Sequence, residues 1–169
     1  MEFVSVLSRA QIAEVAALAD EIWREHYGEI LPAGQIEYML DCFQSEDAIR
    51  AQIAGEGYSY YLLREGEETL GYLGFCRKNG GKDEPKGVFL SKLYVRKSCR
   101  GRGAARAAVH FLKRLCLEEG YTYLWLTVNR DNAGSIACYE KLGFSLWYEQ
   151  RADIGDGWFM DDFVMKKSV

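Results

Sequence analysis

The sequence has little of what would mark a chain for a membrane, for secretion or for a nucleic-acid duplex. Among its 169 residues no uninterrupted apolar run approaches the ~18 that a membrane-spanning helix needs. The opening stretch, MEFVSVLSRAQIAEVAALADEIW, has no basic leader and no cleavage signature, so no secretory signal is expected. Five cysteines (Cys42, Cys76, Cys99, Cys116, Cys138) are odd in number and widely spaced, which argues against a paired disulfide framework and a C-x-x-C metal knuckle. No metal is expected, and most of these thiols should be reduced, buried small hydrophobes. The two histidines, His26 and His110, sit on or beside apolar helix faces and in no recognisable pairing with a cysteine, so a structural role is expected for both. A formal net charge of -4 and a pI near 5.3 make the surface one that repels nucleic acid. With 49% hydrophobic residues and no repeats or low-complexity tracts, the chain is expected to be one soluble cytoplasmic domain spanning 1–169, with no membrane partner.

What is present is a clear alternation of elements. A short strand, Phe3 to Leu7, precedes a helix that Ser8 caps, with Ile12, Val15, Ala16, Ala19, Ile22, Trp23 and His26 at helical spacing. After YGEILPAG comes a second helix with Ile36, Met39, Leu40 and Phe43 on one face. Two strands, Tyr58 to Leu63 and Thr69 to Cys76, form a hairpin through REGEE, and KNGGKDEPKG reads as an exposed loop. Gly87 to Val95 is a strand that runs into a helix marked by Ala104, Ala107, Ala108, Phe111, Leu112 and Leu115, which Gly120 ends. Tyr121 to Val128 is a strand, Asn132 caps a short helix that stops at Gly143, and strands Phe144 to Gln150 and Trp158 to Lys166 flank IGDG. Hairpins at both ends imply antiparallel pairing, and the strand-helix-strand-helix order of the second half implies parallel pairing there. The fold class is α/β, with a mixed, mostly antiparallel sheet, a central parallel pair and flanking helices.

One segment departs from the acidic average. Residues 96–106, RKSCRGRGAAR, hold five cations and no acid, with Gly101 and Gly103 at a strand-to-helix junction. Such a junction is a natural anion site, because free amides and the positive end of the helix dipole point outward and glycine admits close approach. A Walker loop is excluded, since no lysine and hydroxyl follow the glycines in G-x-x-x-x-G-K-[ST] spacing. A dinucleotide fingerprint is excluded too, because Gly101-Arg-Gly103-Ala-Ala is followed by Arg106, and Val128 and Asn129 stand where a ribose-binding acid would be.

Arg100-Gly-Arg-Gly103-Ala-Ala105 resembles the R/Q-x-x-G-x-G/A loop of the GNAT superfamily of N-acetyltransferases, with alanine in the last place. The block NRDNAGSIACYEKLGF, residues 129–144, is similar to the asparagine, tyrosine and Gly-Phe signature of the same family. The resemblance implies a single N-acetyltransferase domain with acetyl-coenzyme A as cosubstrate. Main-chain groups of Leu93, Tyr94 and Val95 would pair with the pantetheine arm. Amides of Arg100, Gly101, Arg102, Gly103, Ala104 and Ala105 would hold the diphosphate with added charge from the arginines, and Asn132 would contact the cofactor or order its wall. Direct attack by an amine would build an oxyanion beside a backbone N–H at the end of the 88–95 strand, and Tyr139 would protonate the departing sulfur, a phenol with reference pKa ~10 being protonated at neutral pH.

The resemblance points to a small-molecule primary amine as acceptor; a protein or peptide amine, or a non-enzymatic acyl-coenzyme A sensor on the same fold, is the alternative. A homodimer is compatible with it. No carboxylate lies on the strand before the loop, so the proton acceptor is sought at Ser91 through water, or at Glu21, Glu37, Asp41 or Asp161. WREHYGEILPAGQIEYML and MDDFVMKK look like stretches of bacterial members assigned to diamine or polyamine-like substrates. In that reading Asp161 or Asp162, or Glu37 or Asp41, anchors a second positive charge of the acceptor.

Overall fold

Ser8 opens the first long helix with a reciprocal cap. Its Oγ accepts from the Gln11 backbone N–H at 3.2 Å, and Gln11 Oε1 accepts from the Ser8 backbone N–H at 2.9 Å. Helix α1 then runs Arg9–Tyr27 and buries Ile12, Val15, Leu18, Ala19, Ile22, Trp23 and Tyr27 along one stripe. Leu18 and Tyr27 belong to that stripe, whereas Ala16 and His26 are only half-buried. The computed structural model describes residues 1–80 and 86–169; residues 81–85, in the expected loop 78–87, lie outside the described residues.

Helices α2 (Ala33–Gln44) and α3 (Glu46–Gly55) meet at Ser45, whose hydroxyl donates to the Asp41 carbonyl at 2.7 Å and accepts from the Ala48 N–H at 3.3 Å. Helix α3 is absent from the sequence reading. It buries only Ile49 and Gln52, too little apolar surface to stand out as a periodicity. Its signal is local instead, an N-cap serine followed by Glu46 and Asp47 in the first turn.

The chain divides into two compact units, Met1–Cys76 with Lys92–Ala108, and Arg77–Ser91 with Val109–Val169. In the first, β1 (Glu2–Ser5), β2 (Tyr58–Glu65) and β3 (Glu68–Cys76) form an antiparallel meander, β2 and β3 turning through Gly66 and Glu67. Leu62, Leu63, Leu70, Tyr72, Leu73 and Phe75 are fully buried, as are Leu18, Ile22 and Ile49 of the helices. Strand β4 (Gly87–Val95) and helix α4 (Ala104–Glu119) contribute to both units.

In the second unit, Gly87–Phe89 of β4 pairs parallel with Tyr123–Trp125 of β5 (Tyr123–Asn129), and β5 pairs antiparallel with β7 (Trp158–Ser168). After β5 comes α5 (Ala133–Lys141), then β6 (Ser145–Gly155), which joins β7 through Asp156 and Gly157. Strand β6 runs on to Gly155 because the turn takes only two residues with positive φ, 51° and 77°, and β7 continues two residues beyond Lys166 to Ser168. The seven-stranded order is β1-β2-β3-β4-β5-β7-β6, the mixed and mostly antiparallel sheet with one parallel pair expected above. Among the described residues no helix is long and apolar enough to cross a membrane.

One glycine controls how closely β3 and the end of β4 approach. A Cβ on Gly71 would lie 2.0 Å from the Tyr94 carbonyl oxygen and 2.9 Å from Val95 Cα, both main-chain atoms that cannot move aside cheaply. Gly71→Ala should therefore lower stability by about 2 kcal/mol or more, through overpacking against backbone. Gly134→Ala, in α5 with nothing within 4 Å of its added carbon, should leave stability unchanged or raise it. Thermal melting of the two variants checks the pair; equal melting temperatures would show that the strands can part at Gly71 without cost.

Candidate functional site

In the first unit, β4 delivers its last residues with the Tyr94 ring held among Trp23, Tyr27 and Tyr72, at centroid distances of 5.5, 6.5 and 5.4 Å. Leu93, Tyr94 and Val95 are half-buried. Arg96 then ties the chain down: its N–H donates to Leu70 O at 2.9 Å, Nη1 to Thr69 O at 3.0 Å, and Nε to Glu21 at 3.0 Å. A single 3-10 turn, Lys97–Cys99, leads into Arg100, whose Nε donates back to Val95 O at 3.2 Å.

Gly101 and Gly103 have φ of 80° and 83°, and a Cβ on either would meet nothing within 4 Å. They are glycines for backbone conformation, and their outer side is open. Ala104 begins α4, and Ala107 N–H already donates to Gly103 O at 3.0 Å. The N–H groups before that first helical bond point outward with the helix dipole.

The five cations of this segment are not equivalent. Arg102 Nη1 sits 2.7 Å from Glu68 Oε2 and 3.8 Å from Glu65, so its charge is already matched by the β2–β3 turn. Hydrogen bonding from Arg102, and then from the Cys99 thiol at 3.5 Å, holds the Glu68 carboxyl below the usual carboxylate range. Arg96 is likewise paired with Glu21. Lys97, Arg100 and Arg106 are exposed and have no ion-pair partner among the described residues.

The carboxylates expected in the first unit to serve an acceptor stand in different settings. Glu37 is bound by both terminal nitrogens of Arg24, which lowers its pKa, and Arg24 also pairs with Asp20 at 2.8 Å. That makes Glu37 part of an exposed ion-pair cluster; Glu21 is held by Arg96, and Asp41 is exposed. A residue absent from the sequence reading is Lys92, 5% exposed, with Nζ 5.1 Å from the Tyr58 ring centre and 5.6 Å from that of Tyr60. Its stem lies over Gly74, where a Cβ would come within 3.2 Å of Lys92 Cβ, and burial pushes its pKa down to about 8. The visible signal was a lysine in the apolar run GVFLSKLYV facing a strand glycine.

The second unit holds Ser91, Asn132, Tyr139, Asp161 and Asp162. Asn132 is buried and caps α5, its Oδ1 accepting from Ser135 N–H at 3.2 Å while its own N–H donates to Asn129 O at 2.9 Å. No residue of α5 is buried; Tyr139 is half-buried with its ring edge-on to Phe144 at 5.7 Å, so it is not a core aromatic. Ser91 is half-buried, and His110 is exposed instead of lying at an apolar face. Cys76, Cys99 and Cys116 are buried, Cys42 and Cys138 exposed. Asp161 is 3.9 Å from Arg151. Asp162, directly across from Asn129 in the β5–β7 ladder, is 8% exposed, and its Oδ1 has no hydrogen-bond partner among the described residues. Burial, then the neighbouring Asp161 charge, pushes its pKa up to about 6.

A carboxyl whose pKa rises on folding binds its proton more tightly in the native state, so native stability falls as pH climbs from the unfolded value of ~3.9 through about 6. Wild type should lose roughly 2–3 kcal/mol between pH 4 and 7 that Asp162→Asn does not lose. Denaturant melts of both proteins across that range check it; parallel pH profiles would place the carboxyl in a water-like setting.

An uncharacterized N-acetyltransferase of Lactobacillus delbrueckii subsp. lactis is 26% identical over 165 residues, covering 96% of this chain and 95% of that protein. The crystal structure of a PaiA N-acetyltransferase from Thermoplasma acidophilum in complex with coenzyme A superposes with a TM-score of 0.77 at 17% identity, covering 100% of both chains. The ribosomal-protein-S18-alanine N-acetyltransferase of Escherichia coli superposes with a TM-score of 0.70 at 18% identity, covering 99% of this chain and 93% of that one. Residues 15–144 match the acetyltransferase (GNAT) family, and the chain is a member of that family.

Proposed function

We propose that the chain, as a single N-acetyltransferase domain, transfers an acetyl group from acetyl-coenzyme A to a primary amine of a small molecule by direct attack in a ternary complex. The observation that carries this reading is the Arg100–Ala105 loop, with two left-handed glycines opening outward at the start of α4 and exposed Lys97, Arg100 and Arg106 around them. A diphosphate fits such a loop, because amides and cations converge there and no side chain fills the space. When bound, the cofactor supplies an activated thioester. Leu93–Val95 would align the arm by main-chain pairing, and Asn132, rigid as a buried cap, would order the wall beside it. Tyr139, on a short surface helix, would give its proton to the departing sulfur.

The acceptor we infer is cationic, a diamine or polyamine. In support, the protein carries a net charge of -4, and the final strand carries Asp161 and Asp162 in succession, their side chains on opposite faces of the sheet. With Glu37 bound to Arg24 and Asp161 3.9 Å from Arg151, the carboxylates of this set without an arginine partner among the described residues are Asp41 and Asp162. A panel of diamines, monoamines of equal length and peptide amines, assayed by thiol release from acetyl-coenzyme A, tests this; equal kcat/KM for diamine and monoamine would overturn the charge argument.

Two outcomes test the residue roles. Arg100→Ala should weaken acetyl-coenzyme A binding roughly tenfold. Arg102→Ala should weaken it less, since Glu68 already matches that charge; calorimetric titration ranks them, and equal losses would mean that Arg102 leaves Glu68 for the cofactor. Tyr139→Phe should retain cofactor affinity while kcat falls about 100-fold, as loss of a general acid requires. A rise in KM with unchanged kcat would remove Tyr139 from the chemistry.

A further inference from the structure

Acetyl transfer to an amine needs a group that receives the amine proton, and of the carboxylates expected for that task in the first unit, Glu21 and Glu37 are bound to arginines and Asp41 is exposed to solvent. Asp162 is placed differently. It lies in β7 between Asn129 of β5 and Gln150 of β6 in the two ladders, and neither of those residues titrates. The nearby charges are paired: Arg130 with Glu149 at 2.5 Å, and Arg151 with Asp161 at 3.9 Å. Arg130 also places its guanidinium over Phe163 and donates its backbone N–H to Asp161 O at 3.0 Å. Asp162 is thus a buried carboxylate with an oxygen that no donor among the described residues engages.

Its position along the sheet is also informative. Asn129 is the carboxyl end of β5, the strand parallel to β4, and from there the chain passes through Asn132 into α5, which carries Tyr139. Carboxyl ends of parallel strands are where ligands gather in sheets of this kind. An unengaged carboxylate on the neighbouring strand therefore borders the same β5–α5 junction that presents the proposed acid.

We propose, resting on the acetyl-transfer reading above, that Asp162 is the proton acceptor for the attacking amine. As the acceptor nitrogen bonds to the acetyl carbon it becomes acidic and gives its proton to the Asp162 carboxylate. The carbon–sulfur bond breaks, sulfur leaves with the bonding pair and takes a proton from Tyr139, and Tyr139 is reprotonated by the proton held at Asp162 through solvent. No proton is gained or lost in that cycle. A carboxylate made more basic by burial, yet ionised at neutral pH, suits this role.

The probe is the amine that releases thiol fastest in the panel above. In wild type kcat should fall on the acid side with a midpoint near about 6. Asp162→Asn should lose roughly 100-fold or more in kcat together with that acid limb, while still melting cooperatively and binding acetyl-coenzyme A as wild type does. Asp161→Asn should move the limb to lower pH, since removing the like charge lets Asp162 ionise more easily. Independent of turnover, carbon-13 NMR of aspartate carboxyls should show one resonance titrating near about 6, missing in Asp162→Asn and shifted down in Asp161→Asn. Turnover of Asp162→Asn within about threefold of wild type, or a limb that Asp161→Asn leaves in place, overturns the assignment of Asp162 alone. If no amine of the panel releases thiol from acetyl-coenzyme A, the acetyl-transfer reading falls, and this assignment with it.

Discussion

Four consecutive residues at the start of β3 hold the whole beginning of the cationic loop. Gly71 lets the strand close on the Tyr94 carbonyl, Leu70 O receives the Arg96 N–H, Thr69 O receives the Arg96 guanidinium, and Glu68 engages both Cys99 and Arg102. The loop thus inherits its position from the register of one strand. Because side chains alternate with a period of two, a slip of one residue would turn Glu68 and Leu70 to the opposite faces and lose every one of these contacts. The missing side chain at Gly71 guards against that slip, since any other register would put a Cβ against backbone.

The same contacts decide what the loop's charge can do. Five cations crowd eleven positions of an acidic protein, but Arg96 and Arg102 are matched by Glu21 and Glu68 and act as struts. Half-exposed pairs of this kind add little stability each. Their effect is geometric, since they fix where the backbone amides point. The exposed charge that remains, on Lys97, Arg100 and Arg106, is what a polyanion arriving from solvent would meet.

In each unit burial also moves a group that water would keep charged toward its neutral form, Lys92 in the first and Asp162 in the second. Hydrophobic residues of similar size would be more stable in a sheet interior. Groups kept under that penalty concentrate where chemistry or recognition occurs, which is the reason to look for function at both.

Much of the local structure was legible in the chain itself. Ser8 and Gln11, Asn132, the pair Gly101 and Gly103, and the Asp156-Gly157 turn specify their conformations through neighbours a few positions away, so pattern reading reaches them. The family resemblance came from the same short stretches, residues 100–105 and 129–144. Helix α3 escaped because it buries almost nothing, and a helix without a buried stripe has no periodicity to read. The sequence alone therefore determined the element order apart from α3, the caps at Ser8 and Asn132 and the place of the glycines in the anion loop, all consequences of short-range sterics and hydrogen bonding. Only the tertiary structure decided which arginines are already paired, that Lys92 lies beneath two tyrosine rings, and that the Asp162 carboxylate is buried beside Asn129 with one oxygen unengaged. Coulomb attraction and desolvation act through space between residues far apart in the chain, and no spacing in the sequence records those distances.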